Sequence, residues 1–370
     1  MSVKGQHPAL LRRLAAIARV CAVLAAAAVV TALPFDWARI GRNATLLAAG
    51  LQQPHNAAQV LGERLTTDNG ASSQAVTTPP AATPNTGDHT AVLPPAEEDA
   101  VPAVTIPKED GSGGKIVERK LDTGDTRKHG IATRNSSGKA VDIAAALTTK
   151  LTPKFTDTDA PQVLIVHTHT TEAYMPYDAG YYNARDRERT TDHARNVCAV
   201  GDALVETLTA NGIAAIHDTT VHDAPYSGAY NRSAKTVQSY LEKYPSIQVV
   251  LDLHRDALME GQTGLVKPTV TIDGKKAAQM MIIAGALSTD ALPNPHWQQN
   301  LALAAKWQKL LTARYDGLMR PLSTVGSRYN QHLHAGYLLV EVGSEGNTVA
   351  EAEYSGELLG KTLAELLKQG

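Results

Sequence analysis

The 370-residue sequence predicts an α/β domain: a mixed, mostly parallel sheet with helices on both faces. Two observations carry this expectation. From about residue 115 onward, short apolar runs alternate with segments of helical period, the order that builds strand–helix–strand units. Three of those runs, at residues 163–172, 249–256 and 338–343, are β-branched or leucyl and stop at a side chain that can bind a metal or move a proton. Buried parallel strands read as continuous apolar runs, and open α/β sheets place ligands at the carboxyl ends of their strands.

The elements follow in order. Residues 1–43 read as a cytoplasmic N-terminus and transmembrane anchor, because Lys4, Arg12, Arg13 and Arg19 precede an uncharged run from Val20 to Leu33. Positive charge before the apolar run places the rest of the chain outside. Counted from Leu14, the run approaches the roughly 20 residues that span a bilayer, with Arg19 snorkelling. A cleaved signal peptide ending at Val30-Thr-Ala32 is the competing reading, and it also exports the remainder. The expected location is therefore the cell membrane, single-pass, with an extracytoplasmic catalytic domain. Residues 44–66 have modest helical character and read as a juxtamembrane segment. Residues 67–114 are rich in Thr, Ala and Pro without apolar periodicity, which predicts a disordered linker. The catalytic domain is then 115–370.

Within that domain 163–166 reads as a strand. A helix over 192–210 follows, with Val197, Val200, Leu204 and Leu208 on one face and Asn211-Gly212 closing it. Strands are expected over 213–216, 247–253, 266–272, 280–284 and 337–342, and helices over 229–241, 294–315 and 348–368. The formal net charge of −2 offers no general attraction to nucleic acid. The two cysteines, Cys21 in the apolar N-terminal run and Cys198 in a helix, suit neither a disulfide nor a thiolate cluster.

His169 and Glu172 stand three apart just past a strand, so one turn aims both at a common point, and His254 at the end of another strand supplies a third ligand. Two His and one Glu with the fourth position left to water is the donor set of a hydrolytic zinc site. Glu341, ionisable at the end of an apolar strand, is the expected base; burial raises the pKa of such a group and suits it to taking and returning a proton. Glu345 is a weaker rival, and a salt bridge from Glu341 to Arg328 or Lys361 is the structural alternative. If the chain turns after His167, only one of His167 and His169 faces the ion. Asp252 alternates with apolar residues, where it faces away or orients a ligand imidazole. Arg255 either holds a substrate carboxylate or pairs with Asp256 to fix the loop. Arg328 and Asn330 lie in a polar loop of the sort that lines a cleft and binds substrate. Arg185, Arg187 and Arg189, in a charged loop, are expected contacts for an anionic polymer.

The phrases His167-Thr-His-Thr-Thr-Glu-Ala-Tyr174, Leu253-His-Arg-Asp256, Arg328-Tyr-Asn-Gln331 and Leu339-Val-Glu-Val-Gly-Ser-Glu-Gly-Asn347 resemble the stage II sporulation protein P family, in order across most of 115–370. The resemblance implies a membrane-anchored peptidoglycan hydrolase acting in forespore engulfment. It implies an N-acetylmuramoyl-L-alanine amidase with an associated endopeptidase activity, Zn2+ as cofactor, and a lytic transglycosylase partner like stage II sporulation protein D. More distantly, the catalytic half is similar to zinc amidases of cell-wall turnover and to zinc carboxypeptidases. In the carboxypeptidases a His-x-x-Glu follows a strand, a second His ends another, and a catalytic Glu ends a later one; His169, Glu172, His254 and Glu341 match that order. The amidases draw their Glu from the helix after the first strand, where this chain offers Asp192 and His193 instead. Those two are reserves for the middle ligand, and His167 is the reserve for His169. The competing classes are an endopeptidase that cuts crosslinks and a non-catalytic wall-binding scaffold.

Overall fold

The computed structural model describes residues 105–187 and 189–369. The expected anchor, the juxtamembrane segment and all but the last residues of the expected linker lie outside them. Among the described residues no helix is long and apolar enough to cross a membrane.

In chain order the elements are β1 (Gly114–Arg119), β2 (Thr133–Asn135), α1 (Ile143–Thr148), β3 (Val163–Val166), β4 (Tyr181–Tyr182), α2 (Val197–Ala210), β5 (Ala215–His217), α3 (Ala229–Lys243) and β6 (Val249–Asp256). Then come β7 (Met259–Glu260), β8 (Gly264–Ile272), β9 (Lys275–Ala278), β10 (Met280–Gly285), α4 (Trp297–Arg314), β11 (Leu322–Val325), β12 (Tyr337–Ser344) and α5 (Val349–Gln369). The main sheet has seven strands in the order β2-β11-β10-β12-β6-β3-β5. Its pairings are parallel except where β10 runs against β12. The mixed, mostly parallel sheet expected from the apolar runs is therefore present.

Strand alternation sorts the core into two faces. Val163 and Ile165 of β3, with Val249, Leu251 and Leu253 of β6, pack with α2, α4 and α5. Leu164, Val166 and Val250 face the other way, against Val237 of α3. Helices thus cover both faces, and a residue's parity decides which face it serves.

Two glycines let α5 lie close along α2. A Cβ at Gly356 would stand 2.8 Å from the Val200 carbonyl oxygen, and one at Gly360 2.7 Å from Thr207 Cβ. The helix expected over 192–210 is broken at its start. Asp192 caps a single 3-10 turn, His193–Arg195, and the extended Asn196 then caps α2 by accepting the Cys198 N–H at 2.9 Å. An Asx side chain competing for nearby backbone donors explains the break.

A second, smaller sheet, β4-β1-β8-β7 with β9 on β8, is centred on the strand expected over 266–272, which is β8; its other four strands have no counterpart in the periodicity reading. It begins where the linker was expected to end. Tyr181 donates to the Pro107 carbonyl at 2.6 Å, and the Asp110 N–H donates to Asn183 at 2.9 Å. Residues 107–113 are therefore fastened to the loop after β4. Lys267 of β8 is buried with its ammonium 2.6 Å from Glu351 and 2.7 Å from Asp178, so its charge is matched.

Candidate metal centre

The candidate site forms where β3, β6 and β12 end side by side. In the parallel β6–β12 register Glu341 lies opposite His254. Both share parity with Val250 and Tyr337, so the pleat turns them to the α3 face of the sheet. The chain leaves β3 at His167 and turns at once: Thr170 Oγ1 donates to the His167 carbonyl at 2.9 Å, and the Glu172 N–H to the His169 carbonyl at 3.0 Å. That turn carries His169 and Glu172 toward His254.

Glu172 bridges the two imidazoles, with Oε1 3.3 Å from His169 Nδ1 and Oε2 3.3 Å from His254 Nδ1. One donor atom from each of the three residues falls within 4.8 Å of the others. Ligands ~2 Å from a tetrahedral zinc ion stand ~3.3 Å apart, so the spacing fits that ion. The electrostatics agree. Burial alone would lower the His254 pKa, but Asp252 and Glu172 outweigh it and hold the ring well above its ordinary value. Burial likewise opposes ionisation of Glu172, yet hydrogen bonds from His169 and His254 keep its carboxylate well below the usual range. Surroundings that favour a positive charge on His254 also favour a divalent cation beside it. Asp252 Oδ1 lies 3.0 Å from His254 Nε2 and accepts the Thr168 N–H at 2.8 Å. It thus orients the imidazole from behind, the carboxylate–histidine arrangement common around bound metals.

Glu341 retains some exposure as a residue, but its Oε2 is buried with no hydrogen-bond partner. Burial, reinforced by Asp256, pushes its pKa up to about 8. Neither structural alternative is formed: Arg328 donates to the Pro293 carbonyl at 3.0 Å, and Lys361 pairs with Glu357 at 3.7 Å. Glu345 is engaged elsewhere, 2.8 Å from Arg187 and 3.4 Å from Arg255. The convergent donors and the orphaned carboxylate oxygen together fit a zinc centre with an adjacent proton acceptor.

The remaining expected residues are distributed as follows. Arg255 is buried; its N–H donates to Glu172 Oε2 at 3.1 Å and its Nε to the Ala173 carbonyl at 3.1 Å. Its loop partner is not Asp256, which pairs with Arg320 at 2.9 Å. Asn330, with φ 58°, donates to the Tyr230 carbonyl at 2.9 Å and to Ser233 at 3.0 Å, so it braces the start of α3. Asp192 and His193 are exposed, and His167 lies on the other face of the sheet. His167 is fully buried, and burial and the neighbouring His217 push its pKa down to about 3.

Tyr226 and Tyr230, which the sequence places at a loop-to-helix junction, and Asp223 border the donor set. Tyr226 stacks on His169 with ring centres 4.7 Å apart, and Tyr230 meets the same ring edge-on at 5.5 Å. Asp223 takes the Thr171 N–H at 3.1 Å and also pairs with Arg189, whose guanidinium lies 4.8 Å over Tyr226. Only the tertiary fold brings residues some fifty positions apart into this latch.

The profile of the family described as Stage II sporulation protein P (SpoIIP) matches residues 86–364. Stage II sporulation protein P of Bacillus subtilis (strain 168) is 28% identical over 226 residues, covering 58% of this chain and 53% of that protein. The chain thus spans about half the length of the curated relative it matches. Among solved structures, the N-acetylmuramyl-L-alanine amidase Ami1 from Mycobacterium smegmatis is similar at 12% identity, covering 58% of this chain and 100% of that one, with a TM-score of 0.34. The N-acetylmuramoyl-L-alanine amidase AmiC2 of Nostoc punctiforme is similar at 13% identity, covering 58% and 98%, also with a TM-score of 0.34.

Proposed function

The chain belongs to the stage II sporulation protein P family, and on that premise we propose that it is a zinc-dependent peptidoglycan hydrolase cutting the amide between N-acetylmuramic acid and L-alanine. The observation that carries the reading is the convergence of His169, Glu172 and His254 beside the unpartnered carboxyl of Glu341. His169, Glu172 and His254 would hold Zn2+, which when bound would supply Lewis acidity for hydrolysis.

The protein's own groups do the rest. Glu341 takes the water's proton at Oε2 and returns it to the departing nitrogen, a role suited to a carboxyl whose pKa lies near the working pH. Asp252 fixes the ring of His254, and Arg255 fixes the backbone that presents Glu172. Tyr226 and Tyr230 pack on the His169 ring and hold it in place beside the donor set. Asn330 keeps the Tyr230 turn in place, and Arg328, on the adjoining loop, is a cation available to a stem-peptide carboxylate. The reading includes an N-terminal membrane anchor in residues 1–43, action in forespore engulfment, and a lytic transglycosylase partner of the stage II sporulation protein D type. A scaffold that had lost its chemistry would not need to keep both the donor set and the buried acid.

Purified sacculi provide the test. Wild-type protein should release stem peptides, and Glu341→Gln should fold yet release almost none. Near-wild-type release by that variant would refute the assignment.

A further inference from the structure

On the opposite face of the sheet, strand alternation builds another convergence. His167 continues the Val163, Ile165 series toward α2, and His217 follows Ala215, which packs on the same core. The first turns of α2 bring Cys198 and Gly201 to the same place. One donor atom from each of His167, Cys198 and His217 falls within 4.8 Å of the others.

Each ring has its outer nitrogen committed. His167 Nδ1 lies 3.0 Å from the Leu253 carbonyl oxygen, and His217 Nδ1 2.8 Å from Asp202 Oδ1. Both partners only accept, so each Nδ1 carries a hydrogen. The two Nε2 atoms then face each other at 2.8 Å. Two bare lone pairs at that distance repel, so a cation belongs between them, either a proton or a metal ion. Ring N–H groups locked by a carbonyl and a carboxylate are the usual backing of ligand imidazoles.

We propose that His167, Cys198 and His217 form a second, separate site for a borderline transition-metal ion such as Zn2+. Imidazole and thiolate donors select such ions over Mg2+ or Ca2+. The charges close: a divalent ion, the Cys198 thiolate and the Asp202 carboxylate sum to zero. Loading releases the thiol proton. The rings must part by about 0.5 Å, to ~3.3 Å, to admit the ion. Gly201 leaves them room, because a Cβ there would stand 2.3 Å from His217 Nε2 and 3.0 Å from His167 Nε2. A glycine inside a helix weakens it relative to alanine, and the close approach of the rings gives it a reason. The Asp202 side chain is 70% exposed and the His217 side chain 8%, so the site lies one side chain below the surface. An ion here ties the end of β3, from which His169 departs, to α2.

The test uses the full chain, stripped with chelator, then loaded with Zn2+ or Co2+ and dialysed. Metal content should be two ions per wild-type chain and one in each of Cys198→Ser and His254→Ala. With Co2+, a thiolate-to-metal charge-transfer band should appear in wild type and persist in His254→Ala, but vanish in Cys198→Ser. Should Cys198→Ser fold poorly, His217→Ala reads the same loss. A single ion per wild-type chain, removed by His254→Ala, with no thiolate band, would overturn the proposal and leave a shared proton between the rings. Because the two variants report on different sites, failure here is distinct from failure of the hydrolase reading.

Discussion

Replacing Glu341 by Gln should move activity and stability in opposite directions. The change keeps the shape of the side chain and removes its ability to take a proton. A positioned general base contributes typically 10²–10⁴-fold, so the rate should fall by that factor, about 3–5 kcal/mol of barrier. Stability follows from linkage. Burial raises this carboxyl from its ordinary 4.5 to about 8 in the folded, metal-free protein. The folded state therefore holds a proton that the unfolded chain releases, and stability is lost as pH rises from 4.5 toward 8. At ~1.4 kcal/mol per pH unit the loss at alkaline pH is at most about 5 kcal/mol. Glutamine has no such proton to lose. Chelated Glu341→Gln should thus melt several degrees above chelated wild type at pH 8–9 and level with it near pH 4.5, where both are measured by calorimetry. A variant with activity within tenfold of wild type, or with a lower melting temperature at pH 8, would refute the reasoning.

Other outcomes follow from the contacts around the site and the core. Asp252→Asn keeps the hydrogen-bonding shape behind His254 but removes the charge, so zinc affinity by competition with a chromophoric chelator should drop roughly 10–100-fold; an unchanged affinity would deny Asp252 its orienting role. Lys267→Met leaves Glu351 buried without its cation and should cost about 3–5 kcal/mol in urea denaturation, whereas a cost under ~1 kcal/mol would mean the pair is dispensable. Gly356→Leu forces a side chain into the Val200 carbonyl and should destabilise by about 1–3 kcal/mol, while an unchanged midpoint would show that α2 and α5 separate freely.

How much of this was legible beforehand depends on the distance over which each signal acts. The strands at Val163–Val166, Val249–Asp256 and Tyr337–Ser344 announce themselves because burial on both faces leaves little but apolar residues. The donors converge because three neighbouring strands end together, and strand-end position was readable in the sequence. Which of His167 and His169 enters the site was not readable, since it turns on the chain bending immediately after His167. Of the small sheet only β8 was readable, as the strand expected over 266–272; β4 and β7 have two residues each and half of β1 is exposed, too little for a period to show. The pairing of His217 with His167 and the stacking of Tyr226 on His169 join positions some fifty residues apart, and each residue alone reads as bland.

Mass analysis of the soluble products from purified sacculi, with and without chelator, bears most directly on the hydrolase. The expected products are stem peptides with a free L-alanine amino group and glycan strands stripped of peptide, with both lost on chelation and restored by Zn2+. Products cut only within crosslinks, or release that ignores the chelator, would contradict it.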